Sequence, residues 1–150
     1  APVVFALNRL TIITAKGNPA GIRGLEDLAR EDLSVLLCGP EVPAGRYARQ
    51  ALDKAGVEVH SRSDEPSVKA VLSKVQLGEV DAGIVYVTDA TAAAERVDSV
   101  PIPDEFNVVG NYPIVTLGTG ANRDGGAAFV AFVRSAAGQA VLRRHGFSSP

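Results

Sequence analysis

Two loop-to-helix junctions carry the residues of this sequence that are best suited to holding a small anion. One is the segment GPEVPAG at residues 39–45, and the other is DEPSV at residues 64–68. The first turn of a helix presents backbone N–H groups that have no intrahelical acceptor, together with about half a positive charge. Two such turns directed at one point would form an anion site without any basic side chain. The hydroxyl of Tyr86, which ends a nearby predicted strand, would add a further donor.

Small residues at the first junction favour a close approach of the backbone to a ligand. Ala44 and Gly45 carry little or no side chain, and Pro43 fixes the direction in which the helix begins. The same residues also fit an ordinary helix start, since every helix of an α/β protein has an N-terminus and most of them bind nothing. Arg46 and Arg49 lie in the first turns of this helix, where they add a mild positive field, and we expect their side chains to lie in solvent.

The segments around these junctions alternate between short apolar runs and stretches of helical period. That pattern is typical of an α/β fold with a parallel-type sheet and flanking helices. Gly56 is predicted to end one helix, Ser67 to cap the next, and Thr88 or Asp89 to cap a short one. Strands are predicted at residues 10–15, 33–38, 57–59 and 82–87, and the other helices at residues 25–30, 47–55, 68–77, 125–134 and 139–145. In open sheets of this kind ligands bind beyond the carboxyl ends of the strands, where both junctions would lie.

An extended stretch is predicted from residue 97 to residue 117. It contains Pro101, Pro103 and Pro113, and proline cannot donate a hydrogen bond to a sheet ladder. A continuous central strand is therefore excluded there. We predict instead a chain that crosses between two lobes in an extended conformation.

Composition restricts the classes of partner. The chain has 150 residues, of which 46% are hydrophobic, and no apolar run approaches the roughly 20 residues that a membrane-spanning helix needs. Fifteen basic and seventeen acidic side chains give a net charge of -2. The chain therefore lacks the overall basic character of a nucleic-acid-binding domain, and we expect no nucleic acid partner.

Thiol and imidazole groups are too few to suggest a metal centre. Cys38 is the one cysteine, and His60 and His145 are the two histidines, which excludes an internal disulfide and a thiolate zinc site. Catalysis by Cys38 would need a neighbouring histidine or cation to lower the pKa of the thiol, and the sequence places neither histidine to do so. We expect Cys38 to pack in the core, no direct metal ligands, no cofactor and no enzymatic activity.

Several sequence blocks resemble one protein family. The blocks are GPEVPAGRYARQAL at residues 39–52, GIVYVTDA at 83–90, KGNPAGIRGLED at 16–27, YPI at 112–114, GQAVL at 138–142 and GF at 146–147. They are similar to the periplasmic molybdate-binding proteins of ABC transporters over essentially the whole chain. The resemblance implies a type II periplasmic-binding-protein fold whose two lobes close on molybdate or tungstate. By matching motif, Ala44 and Val68 would donate backbone N–H groups to the oxyanion and Tyr86 its hydroxyl.

The resemblance also implies how the chain is divided. Residues 11–100 would form the complete second lobe, and residues 1–10 and 101–150 would form the hinge crossings and the C-terminal part of the first lobe. Members of this family carry, ahead of the matching part, the opening of the first lobe with two serine ligands. We therefore expect this chain to supply half of the binding site. An apolar sheet edge around residues 3–5 and 108–115 would be left open and would favour self-association.

The resemblance predicts an extracytoplasmic solute-binding protein that captures molybdate or tungstate and delivers it to an ABC transporter permease in the membrane. A cage of neutral donors would select fully deprotonated ions, because the hydroxyl of a protonated phosphate would find no acceptor. Two alternatives stay open. One is the effector-sensing domain of a transcription regulator with the same two-lobed fold, and the other is an enzyme that uses Cys38.

Overall fold

The computed structural model describes all 150 residues, which divide into two compact units. The large unit is Arg9–Val108, and the small unit combines Ala1–Asn8 with Val109–Pro150. Their assignment to the two lobes of a receptor stays a prediction.

The large unit contains a five-stranded sheet in the order β4-β3-β5-β2-β6. Its strands are β2 (Leu10–Ala15), β3 (Val35–Cys38), β4 (Asp64–Glu65), β5 (Ala82–Tyr86) and β6 (Val97–Pro101). Its helices are a short 3-10 helix (Leu25–Ala29), α1 (Pro43–Ala55), α2 (Val68–Gln76) and α3 (Val87–Ala92). β3 pairs in parallel with β4 and β5, whereas β2 runs antiparallel to both of its neighbours, β5 and β6. The predicted α/β fold class is confirmed, with β2 as the reversed strand of the sheet.

Both faces of this sheet are covered by apolar clusters. Successive side chains of a strand point to opposite faces, so Val35 and Leu37 of β3 enter one cluster while Leu36 and Cys38 enter the other. α1 covers the first face through Ala48, Ala51 and Leu52, and α2 covers the second through Val71 and Val75. The continuous apolar run of β3 therefore reflects burial on both faces.

Two local predictions, one of a strand and one of a helix cap, are wrong. The strand expected at residues 57–59 is wrong, because the edge of β3 is occupied by Asp64 and Glu65, which pair with Leu37 and Cys38. The predicted cap at Thr88 or Asp89 is also wrong, since α3 already begins at Val87. Asp89 instead lies inside the first turn, where its Oδ2 accepts a hydrogen bond from the backbone N–H of Tyr86 at 3.0 Å.

Two predicted helix boundaries are confirmed. Gly56 follows α1 in the left-handed conformation, with φ 67°, which suits glycine because it has no Cβ. Ser67 caps α2, and its side chain accepts a hydrogen bond from the backbone N–H of Ala70.

The small unit pairs β1 (Val3–Asn8) with β7 (Gly110–Ile114) in an antiparallel two-stranded sheet. Its helices are α4 (Arg123–Arg134) and α5 (Ala136–Arg144), and the Gln139 side chain donates a hydrogen bond to the Phe5 carbonyl oxygen at 2.8 Å. α4 has no buried residue. No single helix of the chain is long and apolar enough to cross a membrane, and α4 with α5 meets those criteria only as a pair bent by 64°.

Candidate functional site

The three strands β4, β3 and β5 are neighbours and run in the same direction. Their carboxyl ends therefore lie at one edge of the sheet. The loop after β3 leads to the start of α1, the loop after β4 leads to the start of α2, and β5 ends at Tyr86. The sheet thus brings the two predicted junctions and Tyr86 to the same edge, which is where ligands bind in folds of this type.

The start of α1 lies directly against the backbone at the end of β3. Val42 is the N-cap, Pro43 begins the helix, and Ala44 is buried. A Cβ built on Gly45 would overlap the carbonyl oxygen of Gly39. The absence of a side chain at Gly45 therefore lets the first turn of α1 approach the loop closely enough to bury Ala44.

The start of α2 is fixed by its cap and by the loop. Ser67 has extended backbone angles, φ -158° and ψ 158°, and Val68 is the first helical residue. The backbone N–H of Gly39 donates a hydrogen bond to the Glu65 carbonyl oxygen at 2.9 Å, which joins the loop after β3 to the end of β4. The two junctions are therefore connected to each other through their backbones.

Ala44, Val68 and Tyr86 share one environment. Ala44 belongs to the apolar cluster beneath α2, and the half-buried side chains of Val68 and Tyr86 pack against that same cluster. The backbone N–H groups of Ala44 and Val68 donate no hydrogen bond within the protein, because both lie in a first helical turn. Two amides without an acceptor in the protein and the tyrosine thus border the same apolar cluster.

Two titratable groups border these residues. Burial raises the pKa of the Cys38 thiol to about 11, so the thiol is protonated at neutral pH and offers no thiolate. Burial also raises the pKa of the Asp89 carboxyl, against the hydrogen bond from the Tyr86 backbone and the charge of Lys69, which both lower it.

Both acidic side chains of β4 are paired with cations. Asp64 Oδ1 lies 2.8 Å from Arg49 Nη2, and Glu65 Oε1 lies 2.7 Å from Lys74 Nζ. The pKa of Glu65 is lowered, first by the hydrogen bond from Lys74 and then by that from Ser63. These pairs offset negative charge beside the starts of α1 and α2.

The expectation that Arg49 lies in solvent is wrong. Its Nη1 donates hydrogen bonds to the carbonyl oxygens of Cys38 at 2.6 Å and Gly45 at 3.1 Å, in addition to the Asp64 contact. Its position three residues after Arg46 gave no sign of this role, because the carbonyl oxygens that it contacts are exposed only by the approach of α1 to β3. Arg46, by contrast, is exposed and donates to the Glu41 carbonyl oxygen.

A cleft of about 790 Å³ lies elsewhere in the large unit, beside α3 and β6, and none of Ala44, Val68 and Tyr86 lines it. Two of its polar side chains are engaged with the backbone: Thr11 donates to the Val100 carbonyl oxygen and Asn107 to the Leu10 carbonyl oxygen. These two groups stabilise the fold rather than present donors to a ligand.

The chain belongs to the bacterial extracellular solute-binding protein family, whose sequence profile matches residues 1–148. It is 41% identical to molybdate-binding protein ModA of Mycobacterium tuberculosis (strain ATCC 25618 / H37Rv), over 99% of this chain and 57% of that protein. The chain therefore spans somewhat more than half the length of this relative.

Solved structures agree with this family. The substrate-binding domain of a putative molybdenum ABC transporter from Clostridium difficile aligns with a TM-score of 0.80 at 25% identity, over 99% of this chain and 66% of that one. The periplasmic molybdate-binding protein of Azotobacter vinelandii aligns with a TM-score of 0.73 at 17% identity, over 100% and 68% of the two chains. The second likeness bears on the fold alone.

Proposed function

We propose that this chain is the oxyanion-binding part of an extracytoplasmic receptor for molybdate or tungstate, with Ala44, Val68 and Tyr86 as ligands. The strongest support is the arrangement at the edge of the sheet. Two helices begin there after adjacent parallel strands, and the amides of Ala44 and Val68 are unused by the fold. The 41% identity to a molybdate-binding protein favours this oxyanion over other small anions.

The chemistry of the site suits a dianion held by neutral donors. Burying an unpaired charge is prohibitively unfavourable, whereas each hydrogen bond to a charged group stabilises it by about 1.5–3 kcal/mol. Two amides and one hydroxyl are too few to satisfy four oxyanion oxygens. We infer that a first lobe provides the remaining donors, and that this chain alone binds the ion weakly.

The same donor set would favour fully deprotonated ions. Backbone amides offer hydrogen atoms and no lone pairs, so the hydroxyl of a protonated phosphate would remain without an acceptor. Molybdate and tungstate carry no proton at neutral pH. We infer that discrimination against the smaller sulfate depends on the spacing of the donors.

The wider function that we propose is transport, not catalysis. Residues 11–100 would form the second lobe of the receptor, and the loaded receptor would deliver its ion to an ABC transporter permease outside the cytoplasm. The ion is cargo and no cofactor takes part. The family match favours this function over an effector-sensing regulator domain, and the protonated Cys38 thiol argues against an enzyme that uses that residue.

Titration with tungstate tests the proposed function. We expect the amide resonances of Ala44 and Val68 to shift together in ¹H–¹⁵N NMR spectra of the 150-residue chain, with saturation at millimolar tungstate, because half of the donors are present. The Tyr86 ring resonances should follow the same curve. Sodium chloride at equal ionic strength is the control. Shifts confined to exposed lysine and arginine side chains would contradict the proposal.

We also propose that the small unit associates with a second copy of itself. Several of its large apolar side chains are exposed: Val4, Val109, Val115, Leu117, Phe129, Phe132 and Val141. Its two-stranded sheet also leaves edge backbone groups open to pairing. A face of this kind is rarely left in water by a monomeric protein.

Sedimentation velocity tests this association. We expect the mean mass to rise with concentration, and the substitution Phe132→Glu on α4 to shift the equilibrium toward the monomer. The matched control is Leu77→Glu, since Leu77 is equally apolar and 67% exposed but lies in the large unit. A chain that stays monomeric at millimolar concentration would rule out this association.

A further inference from the structure

β4 is only two residues long, yet each of its side chains contacts a different helix. Asp64 contacts Arg49 of α1, and Glu65 contacts Lys74 of α2. The two helices are those whose first turns carry Ala44 and Val68. A short strand therefore lies between the helices as their common point of attachment.

Arg49 makes the more extensive set of contacts. One guanidinium nitrogen donates to the carbonyl oxygens of Cys38 and Gly45, and another donates to Asp64 Oδ1. The group thus joins the end of β3, the first turn of α1 and β4. A planar guanidinium with several fixed donors can connect such points at once, whereas a lysine ammonium is a single point charge on a flexible chain.

α2 is attached to β4 in a comparable way. Glu65 is 5% exposed and accepts hydrogen bonds from Lys74 and from Ser63, and its backbone carbonyl accepts from Gly39. Since a buried carboxylate without a partner is strongly unfavourable, this contact fixes α2 on the strand. β4 is therefore held in a fixed position, and Arg49 positions α1 relative to it.

We propose that Arg49 is a positioning residue that sets the separation between the Ala44 and Val68 amide nitrogens, and thereby the size of the oxyanion that the site prefers. This inference rests on the proposed function of the site. The Asp64 side chain is 56% exposed, so the ion pair itself adds little to stability, and its effect is on geometry. Arg49 need not touch the ion.

The substitution Arg49→Lys tests this role while keeping the charge. Dissociation constants for tungstate and for sulfate are measured from the Ala44 and Val68 amide shifts of the 150-residue chain. We expect the preference for tungstate over sulfate to fall on the order of tenfold. Lysine would no longer hold the amide nitrogens of Ala44 and Val68 at the separation that suits the larger ion. The matched control Arg46→Lys changes the same residue type one turn earlier and should leave the ratio unchanged.

A second variant, Asp64→Ala, removes the acceptor that holds Arg49 on β4 and should reduce the preference in the same direction. The Asp64 side chain is 56% exposed, so this variant tests the inference even if Arg49→Lys folds poorly. Circular dichroism and the thermal midpoint report folding separately from the ratio. An unchanged ratio in both variants, with tungstate still bound, would overturn the role of Arg49 alone. A wild-type chain whose amides respond to neither ion would overturn the proposed function and this inference with it.

Discussion

Replacement of Gly45 by alanine is expected to destabilise the large unit more than any other glycine-to-alanine substitution near the candidate site. The new Cβ would overlap the Gly39 carbonyl oxygen, and a backbone atom cannot turn away as a flexible side chain can. Overpacking of this kind costs about 3 kcal/mol, whereas the better helix propensity of alanine returns about 1 kcal/mol. We therefore expect a net loss of about 2 kcal/mol in the free energy of unfolding.

Urea unfolding measures this loss. Gly126→Ala is the matched control, because it adds the same methyl group to a helical glycine in α4 and its nearest atom is the end of the Thr116 side chain at 3.0 Å. That substitution should be close to neutral. Equal midpoints for Gly45→Ala and the wild-type chain would show that α1 can move away from the loop after β3, and the close approach of α1 would then not be required.

The substitution Val68→Pro is expected to weaken oxyanion binding by tenfold to about a hundredfold, without unfolding α2. Proline is favoured at the first position of a helix, and the extended conformation of Ser67 is the one that a residue before proline prefers. The Val68 N–H that proline removes donates to nothing within the protein. The loss therefore falls on the ligand, at about 1.5–3 kcal/mol for a hydrogen bond to a charged group.

A titration with tungstate followed at the Ala44 amide measures this effect, since that amide remains in the variant. Val68→Ala is the control, because it keeps the N–H and removes part of the side chain that packs on the cluster below. Val68→Pro and Val68→Ala with the same dissociation constant would exclude this amide as a ligand. Chemical shifts of Ala70 and Val71 report whether α2 is intact.

The local sequence pattern was sufficient to predict several strand and helix boundaries near the candidate site. β2 was predicted at residues 10–15 and is observed at Leu10–Ala15, and Gly56 and Ser67 end and begin their helices as predicted. Each of these depends on residues close in sequence: an apolar run, a glycine free to adopt positive φ, a serine whose oxygen reaches the next turn. Interactions of this range can be predicted from the order of the residues along the chain.

The hydrophobic pattern gave a wrong prediction for the strand that pairs with β3, because that pairing depends on residues distant in sequence. Val57 and Val59 have the composition of a strand, but they pack against the apolar cluster instead. The pairing with β3 goes to the charged residues Asp64 and Glu65. Pairing of strands is set by which backbone reaches the open edge, and β propensity is a weak guide to that.

Residues close in sequence were sufficient to predict the α/β class, the helix start at Val68 and the family that the chain resembles, whereas α1 begins at Pro43, four residues before its predicted start. Contacts between distant residues were needed to find that three neighbouring parallel strands place Ala44, Val68 and Tyr86 at one edge, and that Arg49 joins α1 to β3 and β4. These two kinds of outcome differ because the underlying interactions differ in range. Helix propensities and caps act within a turn of chain, whereas the partners of a guanidinium exist only once packing has brought together carbonyl and carboxylate groups that are distant in sequence.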